Sequence, residues 1–199
     1  MTNPKYGQIK DVFATDEIER IVQVLTRLPV ESGADMAYMS GFAANDFVYP
    51  FVKKLILDKL EKHLGELKLS WGMLLYAHRP WPIHTDYPKG DTNPALAILI
   101  PLNTVELYTH TIIFNEESTV PFEEYIIHNK FVDNNAAHLQ QTVCQHETHE
   151  NLSAVSLAEM YLWTPGSVLF WDRKLLHCSD NFIANSIKEK KALVIFTHE

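Results

Sequence analysis

Cysteine is scarce in this sequence, and long apolar runs are missing. The two cysteines among its 199 residues, Cys144 and Cys178, lie far apart and form no CxxC pair, which argues against a disulfide framework and suits a reducing compartment. No stretch approaches the roughly 20 apolar residues that a membrane span requires, and residues 1–10 are polar, without a hydrophobic leader segment. We therefore expect a soluble, unsecreted, cytoplasmic protein with no membrane partner.

Positive charge is in the minority. Lys and Arg number 17 against 25 Asp and Glu, the net charge is −8, and no basic run is longer than Lys188–Lys191. Such a surface is a poor partner for a nucleic-acid backbone or an anionic membrane. We expect a small molecule or a peptide as the partner, and the sequence indicates no oligomeric state.

The length and the hydrophobic content of 46% predict a single domain that spans all 199 residues. Residues 1–67 form a predicted helical flank. Asp16 and Glu19 resemble a capping box at the start of an amphipathic helix that ends near Pro29. A second helix is predicted to begin near Pro50, because proline is tolerated in the first turn of a helix.

After Gly65 the apolar runs become short, rich in β-branched and aromatic residues, and separated by turn formers. Helices followed by an all-β remainder over residues 68–199 indicate an α+β protein, with helices packed outside a sandwich or barrel. The predicted strands are Leu69–Ala77, Ala95–Leu102, His110–Asn115, Glu159–Thr164, Ser167–Trp171 and Lys191–Thr197.

The segment 116–157 is mostly polar, with a short helix predicted around Asn134 to Thr142. A loop of this length inside a compact domain is often a lid or a binding loop. We expect it to fold over the open end of the barrel. A surface insertion or an oligomer contact is the rival interpretation.

One segment carries candidate metal ligands. His84 and Asp86 follow a predicted strand at positions i and i+2, and in an extended chain such residues point to the same side. His177 follows a later strand, and antiparallel pairing would bring it beside them. Two histidines and one carboxylate on one face of an octahedral ion form the site typical of non-haem iron(II) oxygenases, because three coordination positions stay open.

An oxo-acid cosubstrate chelated at two of those positions also needs a cation for its far carboxylate. Lys190 and Lys191 open the last predicted strand and are both candidates. The His-x-Asp pair alone is a weak signal. The ordered combination is more specific: His-x-Asp after an apolar strand, a Pro-Gly turn and strand leading to a histidine, then a lysine at the last strand.

With this combination the chain resembles the 2-oxoglutarate and Fe(II)-dependent dioxygenases of the prolyl-hydroxylase-like and phytanoyl-hydroxylase-like kind. The resemblance includes the opening Gln8–Ile18 and the stretch Trp163–His177. It implies a double-stranded β-helix, a jelly-roll or cupin-like barrel, with N-terminal flanking helices. It also implies that His84, Asp86 and His177 are the metal-binding and catalytic residues.

The same resemblance implies that Lys190 holds the far carboxylate of 2-oxoglutarate, because the family's basic residue usually lies two places before a small residue, here Ala192. That small residue is often Ser or Thr in the family, so Ala192 is a departure. It leaves the usual hydroxyl partner of the carboxylate unidentified. Tyr76, on the strand before the His-x-Asp pair, is the replacement we expect.

The implied activity is an Fe(II)- and 2-oxoglutarate-dependent dioxygenase that hydroxylates or otherwise oxidises a small organic substrate or an amino-acid or peptide side chain with O2, releasing succinate and CO2. Ascorbate is an expected reductant. The presence of Asp86 favours hydroxylation over halogenation, because halogenating relatives commonly lack this carboxylate. The alternatives are a cupin-like metal protein that does not use 2-oxoglutarate and a non-catalytic binding or sensor protein on the same barrel.

Overall fold

The computed structural model describes residues 4–28, 30–32, 36–40, 48–87, 93–105, 108–128 and 135–199. Helices and antiparallel sheets are both present, and the sheets are formed mainly by residues 68–198, which confirms the predicted α+β class. The helices are α1 (Thr15–Leu25), α2 (Tyr49–Val52), α3 (Asp58–Leu64), α4 (Phe122–His128), α5 (Ala136–Thr142) and α6 (His149–Ser153), and a π-helical turn (Lys53–Leu57) joins α2 to α3.

The first helix begins earlier than predicted. The Glu17 carboxylate accepts a hydrogen bond from the Ala14 backbone N–H at 2.9 Å, so Glu17 caps the helix and the predicted box of Asp16 and Glu19 is wrong. Lys59 on α3 donates to the same carboxylate, at 2.6 Å from Oε1. This ion pair between Glu17 and Lys59 links α1 to α3 on one side of the molecule.

All six predicted strands are present, with ends that differ from the prediction by at most two residues. Among the described residues they assemble into a large sheet, in the order β1-β8-β5-β10-β4-β3-β2, and a small sheet, in the order β7-β6-β9. The strands are β1 (Tyr6–Ile9), β2 (Val30–Ser32), β3 (Met36–Ser40), β4 (Lys68–Ala77), β5 (Pro94–Pro101), β6 (His110–Glu117), β7 (Leu157–Leu162), β8 (Val168–Asp172), β9 (Leu175–Ser179) and β10 (Lys190–His198).

From β4 onward the chain alternates between the two sheets. It passes from β4 in the large sheet to His84, which pairs with His177 on the small sheet, and returns to the large sheet at β5. Strands β6 and β7 are in the small sheet, β8 in the large, β9 in the small and β10 in the large. The segments that carry His84 and His177 therefore face the inner surface of the large sheet.

Alternation along β10 divides its side chains between two cores. Leu193 and Ile195 point outward and pack against the helices α1 to α3. Ala192, Val194 and Phe196 point inward, between the sheets, with partners from β4, β5 and β8. Residue 190 shares the parity of the inward set, so the strand itself directs Lys190 between the sheets.

The segment 116–157 contains the predicted short helix, α5. Its described residues form a third apolar cluster with Ile112, Phe114 and Leu176, on the side of β6 opposite Ile113. Residues 129–134 lie outside the described part. The lid over the open end of the barrel stays a prediction.

The turn between β7 and β8 contains a glycine that the backbone requires. Gly166 has φ +79°, and its carbonyl accepts hydrogen bonds from Val12 and Phe13 N–H at 3.1 and 3.0 Å. A Cβ at this position would lie 2.2 Å from the Phe13 oxygen. The turn therefore fixes the N-terminal segment to the sheets only while residue 166 has no side chain.

We expect Gly166→Ala to lower the free energy of unfolding by about 1–3 kcal/mol through backbone strain alone, with a further loss from the clash. Gly65→Ala is the matched control, because Gly65 has φ +83° but nothing within 4 Å of an added Cβ. Chemical denaturation of both variants measures the difference. A loss at Gly166 no larger than the loss at Gly65 would contradict this account of the turn.

Among the described residues, none of the helices combines the length and the apolar character needed to cross a bilayer.

Candidate metal centre

Backbone pairing brings the His-x-Asp segment beside β9. His84 and His177 exchange two backbone hydrogen bonds of 3.0 Å each, and Asp86 N–H donates to the Arg173 carbonyl at 3.1 Å. Residues 84 and 86 have the same parity in an extended chain, so both side chains point toward the large sheet. His84 and Asp86 therefore lie beside His177, which is about ninety positions away in the sequence.

The three side chains form a compact group of ligand atoms. One atom each from His84, Asp86 and His177 lies within 4.8 Å of the other two. His177 Nε2 is 3.3 Å from Asp86 Oδ2, and His84 Nε2 is 3.8 Å from Asp86 Oδ1. The two imidazole centroids are 4.2 Å apart. Spacing of this kind lets all three donors reach a common ion.

Hydrogen bonds to the backbone orient both imidazoles. His84 Nδ1 lies 2.8 Å from the Pro82 carbonyl, and His177 Nδ1 lies 3.0 Å from the Leu175 carbonyl. A carbonyl only accepts, so each Nδ1 donates, and Nε2 is the ring nitrogen left to bind a metal ion. Metal-binding histidines are commonly fixed in this way by a bond from the other ring nitrogen.

The Asp86 carboxylate is fixed by a hydrogen bond and its pKa is lowered. Trp171 Nε1–H donates to Asp86 Oδ2 at 3.0 Å. Burial alone would raise the pKa of Asp86, but His177, His84 and this hydrogen bond outweigh burial and lower that pKa to about 2. Burial, assisted by His177, lowers the pKa of His84 to about 4. At neutral pH Asp86 is therefore an anion and the His84 imidazole is uncharged, the states that bind a metal cation.

A buried cation shares the same cavity. Lys190 is 3% exposed, and its ammonium donates to Thr109 Oγ1 at 3.2 Å and to the His110 carbonyl at 3.1 Å. Asp180 Oδ1 lies 3.7 Å away, and the Trp163 ring centroid 4.2 Å away. Burial lowers the pKa of Lys190 to about 8, against the opposing effect of Asp180.

The neighbouring Lys191 is on the other face of the strand. Its ammonium is 3.2 Å from Glu189 Oε1 and lies over the Tyr76 ring at 5.3 Å from the centroid. Residues 191 and 76 are direct partners across β10 and β4. Of the two lysines at the start of β10, the one that the structure brings to the cavity is Lys190.

The Tyr76 side chain does not lie where we predicted it from the sequence. It packs against the helical layer on the outer face of the large sheet, whereas its neighbours Leu75 and Ala77 line the cavity. The expectation that the Tyr76 hydroxyl contacts a cosubstrate is therefore corrected. Hydroxyl groups in this region come from Thr109, which contacts Lys190, and from Thr111 and Ser179, which line the cavity.

Asp180 is the main polar residue that the sequence analysis missed. It is 2% exposed, and its carboxylate accepts hydrogen bonds from the Thr109 hydroxyl and, at 2.7 Å, from His110 N–H. The only feature of the sequence that could have pointed to Asp180 is its position three residues after His177. Its partners lie about seventy residues away along the chain, so the spacing of motifs does not predict them.

A cavity of about 150 Å³ joins these groups. His84, Asp86 and His177 lie on its wall together with Lys190, and most of the remaining lining is apolar. The apolar side chains that define its shape include Leu99, Trp163, Trp171, Phe182, Val194 and Phe196. Ligand-type donors and the buried Lys190 ammonium thus face one mainly apolar cavity.

Comparison with known proteins gives a result at the level of structure. No protein-family model matches the sequence, and no curated protein matches it at a significant level. An oxidoreductase of the 2OG-Fe(II) oxygenase family from Burkholderia pseudomallei matches with a TM-score of 0.62 at 11% identity, over 98% of this chain and 84% of its own. The chain shares the fold of this protein.

Two further solved structures have the same 2OG-oxygenase fold. HygX from Streptomyces hygroscopicus, with nickel and 2-oxoglutarate bound, has a TM-score of 0.61 at 12% identity, over 98% of this chain and 82% of its own. SnoN, a non-haem α-ketoglutarate-dependent epimerase of nogalamycin biosynthesis, has a TM-score of 0.60 at 14% identity, over 98% and 78%. At these identities the likeness is one of fold, and it agrees with the resemblance that the motifs carry.

Proposed function

We propose that this protein is a non-haem iron enzyme that uses 2-oxoglutarate and O2 to oxidise a small organic substrate or an amino-acid or peptide side chain. The observation that carries the proposal is the meeting, in one cavity, of a His-Asp-His group and a buried lysine ammonium. Either element alone has ordinary explanations. Together they match the two ends of a chelating oxo-acid that also has a far carboxylate.

The donor set fits iron(II). His84 Nε2, His177 Nε2 and one Asp86 oxygen would occupy one face of an octahedral ion and leave three positions open. The hydrogen bonds to Pro82 and Leu175 keep both Nε2 lone pairs directed at this face. The chain's contribution at the metal is therefore a preset orientation of neutral imidazoles and one anionic carboxylate.

Lys190 would pair with the far carboxylate of 2-oxoglutarate. An ammonium has three donors, and the Thr109 hydroxyl and the His110 carbonyl already accept from Lys190. Its remaining donor would serve the cosubstrate in an apolar setting, where charge-assisted hydrogen bonds are strong. Asp180 keeps the ammonium fixed when no carboxylate is bound.

The chemistry supplied by bound Fe(II), 2-oxoglutarate and O2 is the oxidation of a substrate C–H group, with release of succinate and CO2. The protein's part is to keep coordination positions open, exclude water and orient the substrate. Hydroxylation is the outcome we propose, because the Asp86 carboxylate would occupy the metal position that a halide takes in relatives without this carboxylate. SnoN, an α-ketoglutarate-dependent epimerase, shows that the same fold also serves reactions other than hydroxylation.

We further propose that the two sheets form a double-stranded β-helix within one domain. The alternation of β4 to β10 between the sheets supports this architecture, with α1 to α3 as the flanking helices. Segment 116–157 would then be an outer covering of the small sheet. The proposed cellular location is the cytoplasm.

The direct test measures succinate without any substrate. With Fe(II), O2, ascorbate and 2-oxoglutarate, the wild-type protein is expected to form succinate slowly, and each of the metal and the oxo-acid should be required. A cupin-like metal protein that does not use 2-oxoglutarate would bind metal but form no succinate. A non-catalytic binding protein would bind 2-oxoglutarate and leave it unchanged. Either outcome would refute the proposed activity.

A further inference from the structure

A buried carboxylate lies next to the metal-bearing segment but outside the cavity. Glu147, between α5 and α6, is 5% exposed. Its Oε1 accepts a hydrogen bond from Ile83 N–H at 2.7 Å, and its Oε2 accepts one from Asn151 Nδ2–H at 2.9 Å. Both partners are uncharged, so neither contact pairs this buried carboxyl group with a cation. A buried polar group is unfavourable unless it is hydrogen-bonded, so these two bonds hold Glu147 in place.

The contact closes the free edge of the strand that carries His84. In an extended chain, successive backbone N–H groups point to opposite edges. His84 N–H and C=O pair with His177 on one edge, which leaves Ile83 N–H directed away from β9. Glu147 accepts that N–H in place of a neighbouring strand. The segment is therefore held on both edges, by β9 and by the Glu147 side chain.

The adjacent residues reinforce the same edge. His146 Nε2 lies 3.2 Å from the Trp81 carbonyl, at hydrogen-bonding distance for the tautomer with a proton on Nε2. Trp81 N–H donates to Ser179 Oγ at 2.8 Å. Residues 81 to 83, immediately before the two ligands of the His-x-Asp pair, therefore lie between β9 and residues 146–147 and are bonded through Trp81 and Ile83.

Residues 146–147 are themselves fixed. Glu147 N–H donates to the Cys144 carbonyl at 2.9 Å, and the Glu147 carbonyl accepts from Gln140 Nε2 at 3.0 Å. Asn181 N–H donates to the Val143 carbonyl at 2.7 Å. Thr148 caps α6 by accepting from Asn151 N–H at 3.1 Å. A carboxylate anchored in this way can set the position of the strand that it binds.

We propose that Glu147 is a positioning residue of the metal centre: by holding Ile83 it fixes His84 and Asp86 opposite His177 and so sets metal affinity. The inference rests on the proposed function, because it takes this group as the metal site. It gives the segment 116–157 a role as a brace for the metal-bearing strand.

Two substitutions separate the effect of the length of the Glu147 side chain from the effect of its charge. Glu147→Asp keeps the charge but shortens the side chain by one methylene group, so the carboxylate no longer reaches both Ile83 and Asn151. Glu147→Gln loses the charge but keeps an oxygen that accepts from Ile83, and its amide can donate to Asn151 Oδ1 after rotation of that side chain. Glu150→Ala, at an exposed position of α6, is the matched control.

The probe is Co²⁺ added to the full-length protein, with affinity and the visible spectrum of the bound ion as readouts. We expect Glu147→Asp to weaken Co²⁺ binding by about tenfold and to change the spectrum, as loss of supporting hydrogen bonds does at other metal sites. Glu147→Gln should stay within about threefold of wild type, and Glu150→Ala should match it. A residue with a merely structural role would change thermal stability without changing the spectrum of the bound ion.

A second measurement uses only the wild-type protein. If the Ile83 contact and metal binding are coupled, Co²⁺ must also strengthen that contact, because coupling is reciprocal. Hydrogen exchange at the Ile83 amide should therefore slow on Co²⁺ binding by more than at amides of α1. No such added protection would overturn the inference, even if Glu147→Asp failed to fold.

The outcomes distinguish this inference from the function on which it rests. Glu147→Asp with wild-type affinity and spectrum overturns the positioning role alone. Glu147→Gln as weak as Glu147→Asp also overturns it, because the charge of the carboxylate would then matter and its hydrogen bond to Ile83 would not account for the metal affinity. A wild-type protein that does not bind Co²⁺ overturns the proposed metal centre and the brace together.

Discussion

Replacement of His177 by alanine is expected to abolish metal binding and, with it, all formation of succinate from 2-oxoglutarate. The His177 side chain is buried between the His84 ring, 4.2 Å away, and the Trp171 ring, 4.6 Å away. No other ligand-type side chain is within reach of the position among the described residues. The remaining His84 and Asp86 would supply two donors, too few to retain iron(II) against water.

The measurement is Co²⁺ titration followed by visible absorption, paired with a succinate assay using Fe(II). His149→Ala is the control, because His149 is an exposed histidine at the start of α6. His177→Gln, which preserves more of the side-chain volume, guards against an effect of a cavity on folding, and thermal unfolding checks each variant. Wild-type Co²⁺ affinity in a folded His177→Ala protein would show that the ion is held elsewhere.

Local patterns predicted the parts of the fold that depend on neighbouring residues. Short apolar runs rich in β-branched and aromatic residues, separated by turn formers, predicted the six strands, because this signal depends only on residues close in sequence. Strand β9 was missed because Leu175–Ser179 follows β8 after a two-residue turn and is interrupted by polar His177. Helices α4 and α6, of seven and five residues, were not predicted, whereas α5, also of seven residues, was.

Tyr76 shows why a local pattern does not assign a face without a register. The expectation that one lysine of the pair at 190 and 191 points inward follows from alternation, but the same rule applied to β4 could not choose between Tyr76 and Ala77. The pairing of Lys190 with Ala77 and of Lys191 with Tyr76 fixes both choices at once. Register is a long-range property, so this part of the site needed the structure.

The polar support of the site is likewise long-range. Glu147 contacts Ile83 across 64 positions, and Asp180 contacts Thr109 across 71. In the sequence, Glu147 is one acidic residue in a polar stretch, and the ordinary reading of such a stretch is a solvated loop. Glu147 differs from such residues because it is buried and accepts a hydrogen bond from Ile83 N–H, a backbone group that pairs with no strand among the described residues. Ligand residues follow from motif spacing, whereas the residues that hold the ligands in place follow from topology.

The second large effect is expected at Lys190. Lys190→Ala should weaken 2-oxoglutarate binding by roughly tenfold to a hundredfold, because a hydrogen bond to a charged group contributes about 1.5–3 kcal/mol. Lys191→Ala is the matched control, since its ammonium lies over Tyr76 on the outer face of the sheet. Calorimetric titration of 2-oxoglutarate into the Co²⁺-loaded proteins gives both affinities. Equal affinities in the two variants would place the anchor at another residue.

The pH dependence of the wild-type affinity tests the same contact without a substitution. Burial lowers the pKa of Lys190 to about 8 in the free protein, so the ammonium is present below that pH and is lost above it. A bound carboxylate favours the ammonium, so binding above pH 8 must take up a proton. The dissociation constant of 2-oxoglutarate should therefore be nearly constant below about pH 7 and rise by up to about tenfold per pH unit above pH 8. Lys191→Ala should keep this profile and Lys190→Met should lose it, whereas a pH-independent affinity in the wild type would show that the lysine ammonium does not hold the cosubstrate.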